Sequence, residues 1–195
     1  MLVFWKPRLV FLATPKTAST AFERVLAPLA AMTILRPPAL KHTNVQRFHR
    51  FVAPFLAEAD GGRFETVAIM REPRDWLGSW YRYRQRPDEV PEKSTKAISF
   101  DRFVVAYCQT ERPEFAKIGS QAHFLAPKNH KPADHIFRYD RLHQAQGFLQ
   151  DRLGVAFHLP IENVSPAGDL ALSDSSLAHL QHKCRRDFDL YASLP

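Results

Sequence analysis

The stretch Leu9-Val10-Phe11-Leu12-Ala13-Thr14-Pro15-Lys16-Thr17-Ala18-Ser19-Thr20 decides the fold. Its first five residues are a continuous apolar run, as expected of a strand buried on both faces of a parallel sheet. Its last residues are small, hydroxylated and basic. They open a helix predicted over 17–31, with Phe22, Val25, Leu26 and Leu29 on one face and Pro28 placed to kink it. Where a strand turns into a helix, several backbone N–H groups have no partner. They point along the helix axis, and the helix dipole favours an anion there. Lys16 adds a full positive charge, Thr17, Ser19 and Thr20 add hydroxyls, and small Ala18 lets a ligand approach the backbone. The turn differs from a nucleoside-triphosphate loop, which needs glycines around a longer turn and then Gly-Lys-Ser/Thr. The plainer alternative is a hydroxyl-capped helix start with a solvated lysine, because such caps are common.

Outward from this stretch, strands alternate with helices. Met1 to Thr14 is apolar at both ends but is interrupted by Lys6, Pro7 and Arg8. Neither half has the length of a signal-peptide core, so the segment reads as a buried first strand. Residues 33–35 read as a short second strand. An amphipathic helix follows over 44–59, with Val45, Phe48, Phe51, Val52, Phe55 and Leu56 at helical spacing, Asn44 as cap, and Gly61-Gly62 closing the unit. Phe64 to Met70 is another buried strand, and Pro73 suits the first turn of a helix running to Gln85. The polar, proline-containing stretch 86–99 reads as a surface loop. Further elements are a helix over 100–110, a strand over 135–139, a helix over 141–153 stopped by Gly154, and a last helix over 173–192 capped by Ser173. This alternation predicts an α/β fold, a three-layer α/β/α sandwich around a mostly parallel central sheet. The 195 residues fit a single domain, 1–195, at roughly 150 residues per domain.

A second anion site follows the strand that ends at Met70. The carboxyl ends of parallel strands line the ligand crevice, so Arg71 is expected on the same edge as Lys16. Ser79 lies eight residues further on, about two helical turns along. An arginine fork and a hydroxyl can together clamp one phosphate. The alternative is that Arg71 and Arg74 pair at the surface with Glu72 or Asp75, which is common and worth little. Composition is compatible with an anionic ligand: 27 Lys+Arg against 20 Asp+Glu leave a net charge of +7. No apolar run reaches the roughly 18 residues of a membrane span. Two cysteines, Cys108 and Cys184, make no disulfide framework, so a cytoplasmic location is expected.

The two segments together resemble the sulfotransferases that use 3′-phosphoadenosine 5′-phosphosulfate (PAPS). Pro15-Lys16-Thr17-Ala18-Ser19-Thr20 looks like that family's 5′-phosphosulfate loop, usually Pro-Lys-Thr-Gly-Thr-Thr/Ser. Arg71-Glu72-Pro73-Arg74-Asp75-Trp76-Leu77-Gly78-Ser79-Trp80-Tyr81 looks like its 3′-phosphate segment, with the same Arg-to-Ser spacing. Ser120-Gln121, the run from Ile136 to Leu142, and Asp187-Phe188-Asp189-Leu190-Tyr191 are similar to later family segments. The likeness is closest to compact bacterial and carbohydrate-type members. It departs from the family at Ala18, in place of glycine, and at Glu72, in place of aspartate. No C-terminal Arg-Lys-Gly loop is found, and Lys183, Arg185 and Arg186 are left as alternative phosphate contacts or solvated side chains.

The resemblance implies a P-loop-like, nucleotide-kinase-like fold and transfer of a sulfuryl group from PAPS to an acceptor hydroxyl or amine, with no metal. Lys16 would then neutralise charge on the leaving oxygen, and Arg71 and Ser79 would hold the 3′-phosphate. An acceptor hydroxyl needs a general base, worth about 10²–10⁴-fold. His42, between the two nucleotide segments, is the candidate; His123 is the runner-up, and Glu23 is an acidic alternative for an amine acceptor. His179, His182 and Cys184 have only weak metal-site spacing, because the helix turns Cys184 away from the histidines. Trp76, Trp80, Tyr81 and Tyr83 interleave with Arg74, Arg82, Arg84 and Arg86, a pattern shared by nucleic-acid binders and by helices with buried tryptophans and an arginine-rich outer face.

Two other classes stay open on sequence grounds. One is a P-loop phosphotransferase, a nucleotide or small-molecule kinase, which wants a fuller glycine loop and a magnesium carboxylate. The other is a non-catalytic module binding an anionic nucleotide or RNA. The expected partner is a small-molecule or glycan acceptor rather than nucleic acid, with a homodimer as an option. Residues 36–43, 86–99 and 112–131 are the loops that would choose the acceptor.

Overall fold

The computed structural model describes residues 1–60, 62–160 and 168–195. Gly61, expected to help close the 44–59 helix, lies outside the described residues. In chain order the strands are β1 (Leu2–Phe4), β2 (Leu9–Leu12), β3 (Met32–Thr33), β4 (Glu65–Met70) and β5 (His135–Arg138). The helices are α1 (Ser19–Leu26), α2 (Pro38–Lys41), α3 (Val45–Arg47), α4 (Ala53–Asp60), α5 (Pro73–Tyr83), α6 (Phe100–Tyr107), α7 (Gln121–Leu125), α8 (Leu142–Leu153), α9 (Asp174–Lys183) and α10 (Arg185–Ala192). The chain is α/β and divides into two compact units. One comprises Met1–Arg71, Gln121–Asn163 and Leu194–Pro195, and the other Glu72–Ser120 and Val164–Ser193.

The first unit holds the whole sheet, in the order β3-β1-β2-β4-β5. β2, β4 and β5 run parallel, with Leu12 opposite Ala68 and Met70 opposite Arg138. β1 runs antiparallel to both β2 and β3, so the sheet is mixed. Residues 1–14 are therefore a hairpin and not one strand. Lys6-Pro7-Arg8 forms its turn, with Arg8 at φ 54° and its N–H bonded to the Trp5 carbonyl at 3.2 Å. A link this short permits only antiparallel pairing, because a parallel crossover takes a dozen residues or more.

α1 and α8 pack on one face of the sheet. Phe22, Leu26, Ala145 and Leu149 close over Leu9, Phe11, Val67 and Ile69 in one buried cluster. Full burial of a side chain such as Phe22 contributes about 2–3 kcal/mol. The alternating residues Val10, Leu12, Ala68 and Met70 are just as buried, which accounts for the unbroken apolar runs. α1 stops at Leu26, short of the predicted Ala31. Pro28 has no N–H to continue the ladder, so 27–29 becomes a 3-10 turn and Leu29 is left 46% exposed. The helix predicted over 44–59 is present but broken in character. Asn44 caps it by accepting the Arg47 N–H at 2.8 Å, and a π-helical turn, Phe48–Val52, joins α3 to α4. That turn shifts the facing of the residues beyond it. Val45, Phe48 and Leu56 are buried, whereas Phe51 and Phe55 are 60% and 66% exposed.

The second unit is helical. Trp76, Tyr81, Phe100, Phe103 and Leu180 lie in its core, and Trp76 meets Trp80 edge-to-face at 6.1 Å. The arginines of α5 and its C-cap are not all on an outer face. Arg84 is buried and donates to the carbonyls of Glu114 (2.6 Å) and Lys117 (3.4 Å). The predicted last helix is two helices, α9 and α10, which meet at Cys184. Cys184 is a half-buried free thiol, Cys108 a buried one, and His179 and His182 are exposed.

The β4–β5 register is reinforced by a side-chain clamp. The Asp134 carboxylate accepts the Thr66 N–H (2.8 Å) and hydroxyl (2.9 Å), and the Asp134 N–H donates back to the Thr66 hydroxyl at 3.0 Å. Thr66 is fully buried. Thr66→Val keeps the shape, removes two of the three bonds and leaves the Asp134 N–H without its acceptor, while the carboxylate keeps the Thr66 N–H. It should lower unfolding stability by about 1–3 kcal/mol, read by urea denaturation.

Candidate functional site

The β2-to-α1 loop has an unusual backbone. Lys16 (φ 65°) and Ala18 (φ 58°) are both left-handed, a region that non-glycine residues rarely occupy. Ala18 is the N-cap residue of α1, and no side chain caps that helix. By contrast, Asn44, Glu72, Ser99 and Ser173 each cap their own helix with a side-chain oxygen. The forward-pointing amides and dipole of α1 are therefore not quenched by a cap, as an anion-binding helix start requires. Thr17 is fully buried, and its hydroxyl donates to the Thr14 carbonyl at 2.9 Å. In this arrangement Thr17 ties the loop together. Thr14, which the sequence did not single out, is buried with its own hydroxyl lacking any hydrogen-bond partner. Ser19 is buried and Thr20 exposed, while Pro15, Lys16 and Ala18 are half-buried.

Arg71 meets this loop. Because β2 and β4 are parallel and in register, the residues just past their ends lie side by side. The Arg71 guanidinium donates to the Lys16 carbonyl at 3.3 Å. It also stacks on the Tyr139 ring, 4.3 Å from the centroid, because Met70 and Arg138 are paired one residue earlier. The fully buried Gln121 side chain fixes the Arg71 backbone from both sides. Its carboxamide oxygen accepts the Arg71 N–H (2.9 Å), and its nitrogen donates to the Arg71 carbonyl (2.7 Å). Gln121 and Tyr139 lay inside quoted motifs, but nothing local in the sequence assigned them these contacts. Their partner is some 50–70 residues away. Glu72, expected as an alternative partner for Arg71, instead caps α5 by accepting the Asp75 N–H at 2.7 Å. Ser79 is buried on α5, in the second unit.

His42 is tethered to the same strand end. Its Nδ1 lies 2.6 Å from the Ala13 carbonyl oxygen. A carbonyl can only accept, so Nδ1 carries the proton and, in the neutral ring, Nε2 keeps its lone pair. Burial lowers the His42 pKa, and the Ala13 hydrogen bond partly opposes this. A neutral imidazole at pH 7 with a fixed tautomer is suited to accepting a proton. His123 is exposed on α7. Glu23 is buried in an ion pair with Lys41, at 2.7 Å, and also faces the Met1 ammonium at 3.9 Å. It is thereby engaged as structural charge beside His42. Among the described residues no helix is long and apolar enough to cross a membrane.

Two outcomes follow from this geometry. A left-handed alanine is strained by about 1 kcal/mol relative to glycine, so Ala18→Gly should raise unfolding stability by about that amount. Equilibrium denaturation checks it. Because the folded-state pKa of His42 lies below its unfolded value, the unfolded chain binds the extra proton as pH falls through about 6.5. The neutral ring's stabilisation is present above that pH and is lost as pH falls toward the folded pKa. Stability measured from pH 7.5 to 5 should decline less steeply in His42→Gln than in the wild type.

No protein-family model matches the chain, and neither a curated protein nor a solved structure matches it significantly.

Proposed function

We propose that the chain is a cytoplasmic, single-domain sulfotransferase that takes PAPS as co-substrate, on a P-loop-like three-layer α/β/α fold. The observation that carries this reading is the bond from the Arg71 guanidinium to the Lys16 carbonyl. Two segments 55 residues apart, each suited to anion chemistry, meet at one sheet edge. The donor set fits a nucleotide carrying anionic groups at two positions. The uncapped start of α1 and the half-buried Lys16 would receive the 5′-phosphosulfate. Arg71, stiffened by Gln121 and Tyr139, would receive the 3′-phosphate. Ser79 enters as a further 3′-phosphate ligand from the motif alone.

Bound PAPS would supply an activated sulfuryl group. The chain's own residues would do the rest. Lys16 supplies positive charge where the leaving oxygen gains negative charge. His42 accepts the acceptor's proton at Nε2, with Nδ1–H held by Ala13. The rigid Arg71 backbone fixes the donor for in-line attack.

Calorimetric titration with 3′,5′-diphosphoadenosine, with ATP as control, tests the reading. The diphosphate should bind and ATP should bind weakly. Arg71→Ala should weaken diphosphate binding about 10–100-fold, as loss of a charged hydrogen bond predicts. Preference for ATP with magnesium would favour a phosphotransferase. Binding of neither would leave a basic module without a nucleotide. Once an acceptor is in hand, Lys16→Ala should lower kcat about 10²–10³-fold.

A further inference from the structure

The helical stretch from α3 through α4 has two unlike sides. Val45, Phe48 and Leu56 point inward and are buried. The opposite side carries, in order, Arg47, Arg50, Phe51, Pro54, Phe55 and Glu58, all exposed. Two phenylalanines that are 60% and 66% exposed and four residues apart are a substantial apolar surface for water to cover. The Arg50 guanidinium lies over the Phe51 ring at 5.0 Å, a cation–π contact that sets positive charge at the N-terminal border of the apolar centre.

We propose that this face is a self-docking surface, and that its occupant is the same face of a second copy of the chain in antiparallel orientation. The argument is charge complementarity about a two-fold axis. The stripe is positive at its N-terminal end, at Arg47 and Arg50, apolar in the middle, and negative at its C-terminal end, at Glu58. A two-fold axis near residue 53 lays Phe51 and Phe55 against their symmetry mates. It brings each Glu58 opposite position 48 of the other copy, between Arg47 and Arg50. A parallel arrangement would set arginine against arginine and glutamate against glutamate. An isologous interface requires a self-complementary patch of this kind. A membrane surface would be served by positive charge along the whole stripe, and Glu58 breaks that pattern. One helix face is smaller than the roughly 800 Å² per partner of a stable complex, so the association should be weak and concentration-dependent.

Sedimentation equilibrium of the full chain over about 10–500 µM, a range suited to weak dimers, tests this directly. The wild type should shift from monomer to dimer, and the Phe51→Asp/Phe55→Asp variant should remain monomeric. Two charge variants sharpen the test, both on exposed side chains. Arg47→Glu/Arg50→Glu makes the stripe wholly acidic, and Glu58→Arg makes it wholly basic. Each alone should weaken self-association at least fivefold, and mixing the two should restore dimers as heterodimers. A wild type that stays monomeric throughout the range overturns the proposal. So does dimerisation that ignores the charge changes, or mixing that restores nothing. Diphosphoadenosine binding, measured on the same variants, is expected to be unchanged, so failure here is separable from failure of the nucleotide reading.

Discussion

The parallel pairing of β2 with β4 and of β4 with β5 is the constraint on which the site depends. Parallel strands in register end at one edge, so the residues that follow them are brought together however distant in sequence. Thr14 to Ala18, Arg71 and Tyr139 meet for this reason. The clamp between buried Thr66 and Asp134 pins one of these pairings, and the Gln121 carboxamide holds the first residue beyond β4 by both of its backbone groups. Both reduce the freedom of the backbone at this sheet edge.

The loop before α1 shows the opposite tendency. Ala18 occupies a conformation that favours glycine, and Thr14 keeps a buried hydroxyl without a partner. Each is locally unfavourable, by about 1–3 kcal/mol for a left-handed residue or an orphan polar group. Both sit at the uncapped helix start. Concentration of local cost at one loop, with tight satisfaction around it, is what an anion-binding loop prepared in advance would look like.

Much of this was legible in the sequence because it is local. The apolar run 9–13, the helix start after Pro15, the Asn44 and Ser173 caps and the Gly154 stop each follow from a few adjacent residues. The errors came where one residue overrode the pattern. Pro28 ended α1 and turned Leu29 out, and the π turn at Phe48–Val52 rotated Phe51 and Phe55 away from the core. The Lys6-Pro7-Arg8 interruption was visible, but its meaning as a turn required Arg8 to take a positive φ, which composition does not encode. In the site, Lys16, Arg71 and His42 could be nominated by residue type. Gln121 and Tyr139 could not be given their contacts, since those depend on strand register.

The connectivity of the sheet also bears on the order in which the chain assembles. β1 and β2 are separated by a four-residue turn, so their closure carries little entropic penalty. β2 must wait for β4 across some fifty intervening residues, and β4 for β5 across more than sixty. Contacts of such long sequence separation form slowly. The hairpin is thus the natural early nucleus, and the edge carrying Lys16 and Arg71 is completed among the last events. A nascent chain of this topology would not hold Arg71 between the Lys16 carbonyl and the Tyr139 ring until synthesis had passed residue 139.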